Sequence, residues 1–155
     1  MKSATLIFLI KKDTDQICLA MKKRGFGEGK FNGFGGKVND NEDILDAAVR
    51  ELSEESGVIV QKDDLKHVAD LDFIFEDNSD WGQFVTVYLA EEWQNYPIET
   101  EEMKPYWYSF DDIPYSSMWA DNEIWLPRIL NDEKLSGKFI FRDGDRIVNY
   151  ELENL

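Results

Sequence analysis

The sequence predicts an α+β fold with a mixed sheet and two main helices, on three observations. Short runs of alternating apolar residues recur along the chain, with Gly, Asn and Asp between them. One stretch, Asp43 to Ser56, changes to helical spacing. Near the end, Asp143-Gly144 stands between two more apolar runs, a strong hairpin signal. Strands and helices that are grouped rather than strictly alternating belong to the α+β class.

Thr5 to Ile10 and Gln16 to Met21 read as strands, joined by the polar turn Lys11 to Asp15. From Gly25 to Gly36, Gly occupies positions 25, 27, 29, 33, 35 and 36. That density marks a loop whose backbone bends sharply or approaches a ligand closely. In the helix that follows, Leu45, Ala48, Val49 and Leu52 form one buried face. Asp40 or Asn41 is the expected cap, and Gly57 ends the helix in the left-handed conformation. His67 to Phe75 and Gln83 to Ala90 are further strands, joined by a turn at Asn78-Ser79-Asp80 with Gly82. Tyr106 to Phe110 is a short strand. Asp121 to Leu135 reads as the second helix, although Pro127 removes one of its hydrogen bonds. Phe139 to Phe141 and Ile147 to Leu152 are the final hairpin.

The 155 residues fit one domain, 1–155, able to bury about 68–70% of its unfolded surface without a disulfide or metal staple. With 17 basic and 32 acidic residues the net charge is −15, a field that repels nucleic-acid backbones and anionic membranes. No nucleic-acid polymer and no membrane is therefore expected as a partner. The single Cys18 excludes a disulfide within the chain and fits a reducing, cytoplasmic setting. The longest apolar run, Leu6 to Ile10, is far too short to span a bilayer, and no signal peptide is visible.

The first helix has a second face. Glu51, Glu54 and Glu55 stand at i, i+3 and i+4, so their carboxylates are expected to converge. An acidic helix face is usually just solvated surface. The residues around it decide otherwise. Gly36, Glu42, Arg50-Glu51-Leu52, Glu54-Glu55 and Gly57-Val58 match every fixed position of G-x5-E-x7-R-E-U-x-E-E-x-G-U, where U is aliphatic. Seven fixed residues match by chance below roughly 10⁻⁷ per start site. Close carboxylates repel, and a hard divalent cation, Mg²⁺ or Mn²⁺, offsets that. Arg50 is expected to reach only the rim of the cluster. Lys22, Lys23, Arg24, Lys30 and Lys37 form a basic stretch suited to an anionic ligand.

This motif is the Nudix box, and the chain resembles the Nudix hydrolases. Within them it is most similar to the MutT-like hydrolases of oxidised purine nucleoside triphosphates, nearest the animal-type 8-oxo-dGTP diphosphatases. The likeness extends through Met21 to Gly27, Asn32 to Val38, Glu102-Met103 with Pro105, and Met118-Trp119 to Pro127. It implies an α/β/α sandwich and hydrolysis of a nucleoside triphosphate to monophosphate and pyrophosphate. It implies metal ligands at Glu51, Glu54, Glu55, Glu102 and the Gly35 carbonyl, with Arg50 orienting Glu51. Glu42 ties down the loop. Glu55 is the expected general base, with Glu54 second. The same resemblance places the base reader at Asn32, Trp119, Asp121 and Asn122, and pocket walls at Phe26, Phe73, Phe75 and Met103. Further substrate contacts are expected from Thr5, Lys22, Phe34, Gly35, Gly36 and Lys37.

One departure matters. Relatives carry two adjacent acids where this chain has Asp121-Asn122, and an amide has a built-in donor that two acids must share a proton to supply. The expectation is a lean toward 8-oxo-guanine. Among other Nudix substrates, methylated purine triphosphates remain open; ADP-ribose and dinucleoside polyphosphates are disfavoured, because Asp72, Phe73 and Phe75 stand where the signatures for those substrates place a Pro or a Tyr. A catalytically silent nucleotide-binding module also remains open, although all box glutamates are present. A monomer is the expected assembly. His67 and Cys18 read as structural, and Trp81, Trp93 and Trp107 carry no assigned role.

Overall fold

Strands β1 (Lys2–Lys11) and β2 (Gln16–Lys22) form the first hairpin of a computed structural model that describes residues 1–155. A two-residue strand β3 (Phe31–Asn32) follows, then helix α1 (Ile44–Ser56). Strands β4 (Leu65–Phe75), β5 (Gln83–Ala90) and β6 (Met103–Ser109) come next. Helix α2 (Asn122–Leu130) and the hairpin β7 (Leu135–Arg142) and β8 (Arg146–Asn154) complete the chain. The sheet runs β3-β2-β1-β5-β4-β7-β8, and β6 pairs with β2. β1 with β5 and β4 with β7 are parallel; the other pairs are antiparallel. The sheet is mixed, as expected.

Alternation along the strands sends side chains to two cores. On one face Phe8, Leu19, Leu71 and Val87 pack with Trp125, Leu126 and Ile129 of α2. On the other, Ile7, Leu9, Cys18 and Tyr88 pack with Ala48 and Leu52 of α1. One helix therefore covers each face, which is the expected three-layer sandwich. No helix is long and apolar enough to cross a membrane.

Several element boundaries depart from the sequence reading. Asp43 caps α1, its side chain accepting the Asp46 N–H at 3.3 Å; Asn41 instead takes φ 63° in the preceding turn. Gly57, at φ 79°, ends the helix as expected. α2 stops at Leu130, not Leu135. Pro127 has already cost it a bond, and Leu135 is needed in the sheet, paired with Ala69 and Asn154. β7 begins before Phe139 because neighbours on both sides recruit Leu135 to Lys138, a stretch with little alternation of its own. Asp143 and Gly144, at φ 56° and 85°, make the expected tight turn.

The segment Gly33 to Lys37 lies against β1. The Thr5 N–H donates to the Gly36 carbonyl at 2.9 Å, and the Phe34 N–H to the Ile7 carbonyl at 2.9 Å. A Cβ on Gly35 would lie 1.9 Å from the Thr5 carbonyl oxygen. Gly35→Ala is therefore expected to cost about 3 kcal/mol or more, since rigid backbone must move to admit the methyl. Urea denaturation of the variant beside the native protein measures it.

Candidate active site

A cleft of about 1000 Å³, counted to its open mouth, lies where the Gly-rich loop, β1 and the start of α2 meet. Its acidic end is set by α1. Glu55 lines the cleft and accepts the Gly35 N–H at 2.8 Å. Burial pushes the Glu55 carboxyl up to about 7, with the charges of Glu51 and Glu102 adding to the rise and Lys22 opposing it. Glu51 packs so tightly under the loop that a Cβ on Gly36 would stand 2.6 Å from its carboxyl carbon.

Arg50 does more than the sequence suggests. Its guanidinium holds Glu51 at 2.9 Å, Glu54 at 3.3 Å, both oxygens of Glu42 at 2.8 and 2.9 Å, and the Lys37 carbonyl at 3.2 Å. The rim position expected for it is thus corrected: its side chain folds back over the helix into the cluster. The Arg50 guanidinium and the Asn39 N–H hold the Glu42 carboxyl down at about 2, so Glu42 fastens the loop to the helix. The expected convergence of three carboxylates is also corrected. Glu51 and Glu54 turn to Arg50 and Glu55 to Gly35, and no three acidic, His or Cys side chains meet at one point.

The basic stretch divides. Lys23 pairs with Glu99 at 2.7 Å and Arg24 with Glu102 at 2.6 Å, so these cations neutralise the 99–102 segment rather than the cleft. Lys37 is exposed and lies outside the cleft lining. Only Lys22 and Lys30 of the five reach the cleft. Phe34, expected against substrate, is fully buried in the α1-side core, because its backbone pairing with Ile7 turns its ring inward.

At the other end, Thr5, Asn32, Met103 and Phe73 line the cleft as expected, with Phe26 and Trp119 at its mouth. The Phe26 ring lies 5.1 Å from Trp119 and 5.0 Å from Trp81. Phe75 is both core and wall: it packs in the α2-side cluster and lines the cleft. Asp121 is only 4% exposed, and its Oδ2 accepts the Trp125 indole N–H at 2.7 Å. Burial pushes its carboxyl up to about 6. Asn122 is buried just behind it, outside the lining, and neither its Nδ2 nor its Oδ1 has a partner.

Sequence reasoning missed Trp125, Gln83 and Phe141 as cleft residues. Only Trp125 left a signal, standing at i+4 from Asp121 on one helix face.

The NUDIX domain model matches residues 1–129. The chain belongs to the Nudix family. It is 40% identical to the mouse "oxidized purine nucleoside triphosphate hydrolase" over 151 residues, covering 97% of this chain and 94% of that protein. The zebrafish protein of the same name is 40% identical over 154 residues, covering 99% and 96%. The crystal structure of a MutT protein from Bacillus halodurans superposes with TM-score 0.85 at 22% identity, covering 99% and 98%, a likeness of fold.

Nudix hydrolases generally use divalent metal ions, and the donors in this one fit such an ion. Every candidate ligand atom is oxygen, which hard cations prefer. The Gly35 carbonyl accepts no hydrogen bond from the chain, and Glu51 and Glu102 both act electrostatically on Glu55. Glu54 is 60% exposed and held by Arg50 only at 3.3 Å, so it is free to turn.

Asp121 also carries a cost in this Nudix chain. Below the unfolded value of 3.8 its carboxyl is protonated in both states; between 3.8 and about 6 only the folded state keeps the proton. Stability is therefore lost as pH rises through that window, and the full cost is present above it. Asp121→Asn keeps an oxygen for Trp125 and is expected to stabilise the protein at pH 7.5 by on the order of 1–3 kcal/mol, with no gain near pH 3.5. Thermal melts at the two pH values measure the difference.

Proposed function

We propose that this Nudix hydrolase cleaves oxidised purine nucleoside triphosphates, such as 8-oxo-dGTP, to the nucleoside monophosphate and pyrophosphate, clearing them from the nucleotide pool. The observation that carries the reading is one cleft joining a half-buried Glu55 carboxyl to an aromatic-walled end closed by the buried Asp121. A nucleotide is the ligand that needs both ends. The names of the mouse and zebrafish relatives support the choice of substrate.

Mg²⁺ is the proposed ion, with Mn²⁺ as its substitute. Glu51, Glu54, Glu55, Glu102 and the Gly35 carbonyl would hold it. When bound, it polarises phosphoryl oxygens and lowers the pKa of the attacking water. Glu55 is the proposed general base. Gly35 donates to its Oε1, leaving Oε2 to take the proton, and desolvation raises the carboxyl above its ordinary range. Glu54 is too exposed for that tuning. Arg50 keeps Glu51 turned toward the loop by charge-assisted bonds. Lys22 lies within reach of the phosphate chain.

At the base end, an ionised Asp121 accepts from ring N–H and amino groups. The amide of Asn122, buried and unpartnered behind Asp121, is the proposed donor to a guanine-type carbonyl, a contact that requires the cleft to open to it. A buried amide without partners costs about 1–3 kcal/mol until something pairs with it, which favours the ligand that does. Asn32 is half committed, since its Oδ1 accepts the Gly33 N–H at 2.9 Å, leaving its NH₂ for the base. The proposed working unit is one domain, 1–155, acting as a cytoplasmic monomer without a polymer or membrane partner.

Two measurements test the reading. Pyrophosphate release from 8-oxo-dGTP with Mg²⁺ is expected for the native protein and should fall by about 10²–10⁴ in Glu55→Gln. No release by the native protein would sink the proposal, and full activity in the variant would sink the base assignment. Next, kcat/KM for 8-oxo-dGTP should exceed that for 2-oxo-dATP by about 10-fold or more, and Asn122→Asp should narrow the gap. Equal values in the native protein would contradict the role given to Asn122.

A further inference from the structure

Trp119 of the aromatic wall and Asp121 of the base reader sit on a stretch with no regular structure. Residues 118–121 are a bend and turn between a short 3-10 helix (Tyr115–Ser117) and α2. Asp121 occupies the cap position of α2 but makes no side-chain cap, since its carboxylate is engaged by Trp125. The group that holds this helix start comes from the far end of the chain. Asp145, on the turn between β7 and β8, accepts the Ala120 N–H with both oxygens, at 3.0 and 3.1 Å. A carboxylate here also complements the positive end of the helix dipole. Lys30, from the Gly-rich loop, places its ammonium 3.5 Å from Asp145 Oδ2 and 5.1 Å from the centre of the Trp119 ring. Three irregular segments thus meet at one ion pair beside the mouth of the cleft.

We propose that Asp145 and Lys30 form a clasp that positions Trp119 and Asp121 to receive the purine, acting through those residues rather than on the reacting phosphate. This rests on the reading of the cleft as a purine nucleotide site. Lys30 lines the cleft, yet its charge is committed to Asp145 and to the Trp119 face, so it is assigned to the base end and not to the triphosphate. The charges that reach Asp121 from the elements packed against it are the same two. Asp145 raises its carboxyl and Lys30 lowers it, while Trp125 on its own helix donates a neutral N–H.

The test uses the full chain and the variants Asp145→Asn and Lys30→Met. KM for 8-oxo-dGTP is expected to rise about 10-fold in each, with kcat changed far less, as loss of positioned binding requires. Binding of 8-oxo-dGMP, the product, should strengthen with pH as Asp121 ionises. The midpoint of that curve should move down in Asp145→Asn and up in Lys30→Met, which a merely structural pair would not produce. Unchanged KM and midpoint in variants that melt like the native protein would overturn the clasp, as would midpoints moving the same way. If Asp145→Asn fails to fold, Lys30→Met carries the test, since it leaves the Asp145–Ala120 bonds in place. Native protein inactive on 8-oxo-dGTP overturns the substrate reading and the clasp with it. Active native protein with indistinguishable variants overturns the clasp alone.

Discussion

The tight seating of Gly33 to Gly36 between β1 and α1 is the constraint on which the site depends. On one side the segment exchanges backbone hydrogen bonds with Thr5 and Ile7; on the other it meets Glu51 and Glu55. No side chain fits at Gly35, and one at Gly36 would displace the Glu51 carboxyl, so backbone is brought directly against carboxylate. This contact sets the depth of Glu55, and with it the desolvation that raises its carboxyl. It also leaves the Gly35 carbonyl without a partner. Arg50 completes the joint by tying Glu42, Glu51 and Glu54 to the loop, turning a repulsive cluster into a held one.

Charge is distributed so that an anionic chain can present a site for an anionic ligand. Most of the basic residues in the Gly-rich loop do not face the cleft. Lys23 and Arg24 strap the loop to Glu99, Glu101 and Glu102, and Lys30 pairs with Asp145. The little positive charge left in the cleft makes a divalent cation the main counter-charge for a triphosphate. At the other end the walls are largely aromatic. Asp121 and Asn122 are buried polar groups with few partners, and such groups discriminate strongly because a wrong ligand leaves them unpaired. The two titratable carboxyls that line the cleft owe their raised pKa values to the same cause, burial.

Local signals in the sequence announced the first hairpin, α1 with its Gly57 cap, β5 and the Asp143-Gly144 turn. Each is specified by residues next to one another: alternation, helical spacing, or a glycine where φ must be positive. The weaker readings share a different cause. α2 ended early and β7 began early because Leu135 was taken by the sheet, a preference exerted by Ala69 and Asn154 and invisible in the local pattern. Arg50 was misjudged because angular position on a helix wheel ignores the reach of a long side chain folding over its own helix.

By itself, the sequence determined the box glutamates on one helix, the glycines that let backbone approach them, and the anionic surface around them. These follow from residue type and short spacing. Only the tertiary structure decided which cations face the cleft, that Phe34 belongs to the core, and that Asp145 reaches Ala120. Those choices depend on contacts between segments far apart in the chain, and no local propensity encodes where a long side chain finds its partner.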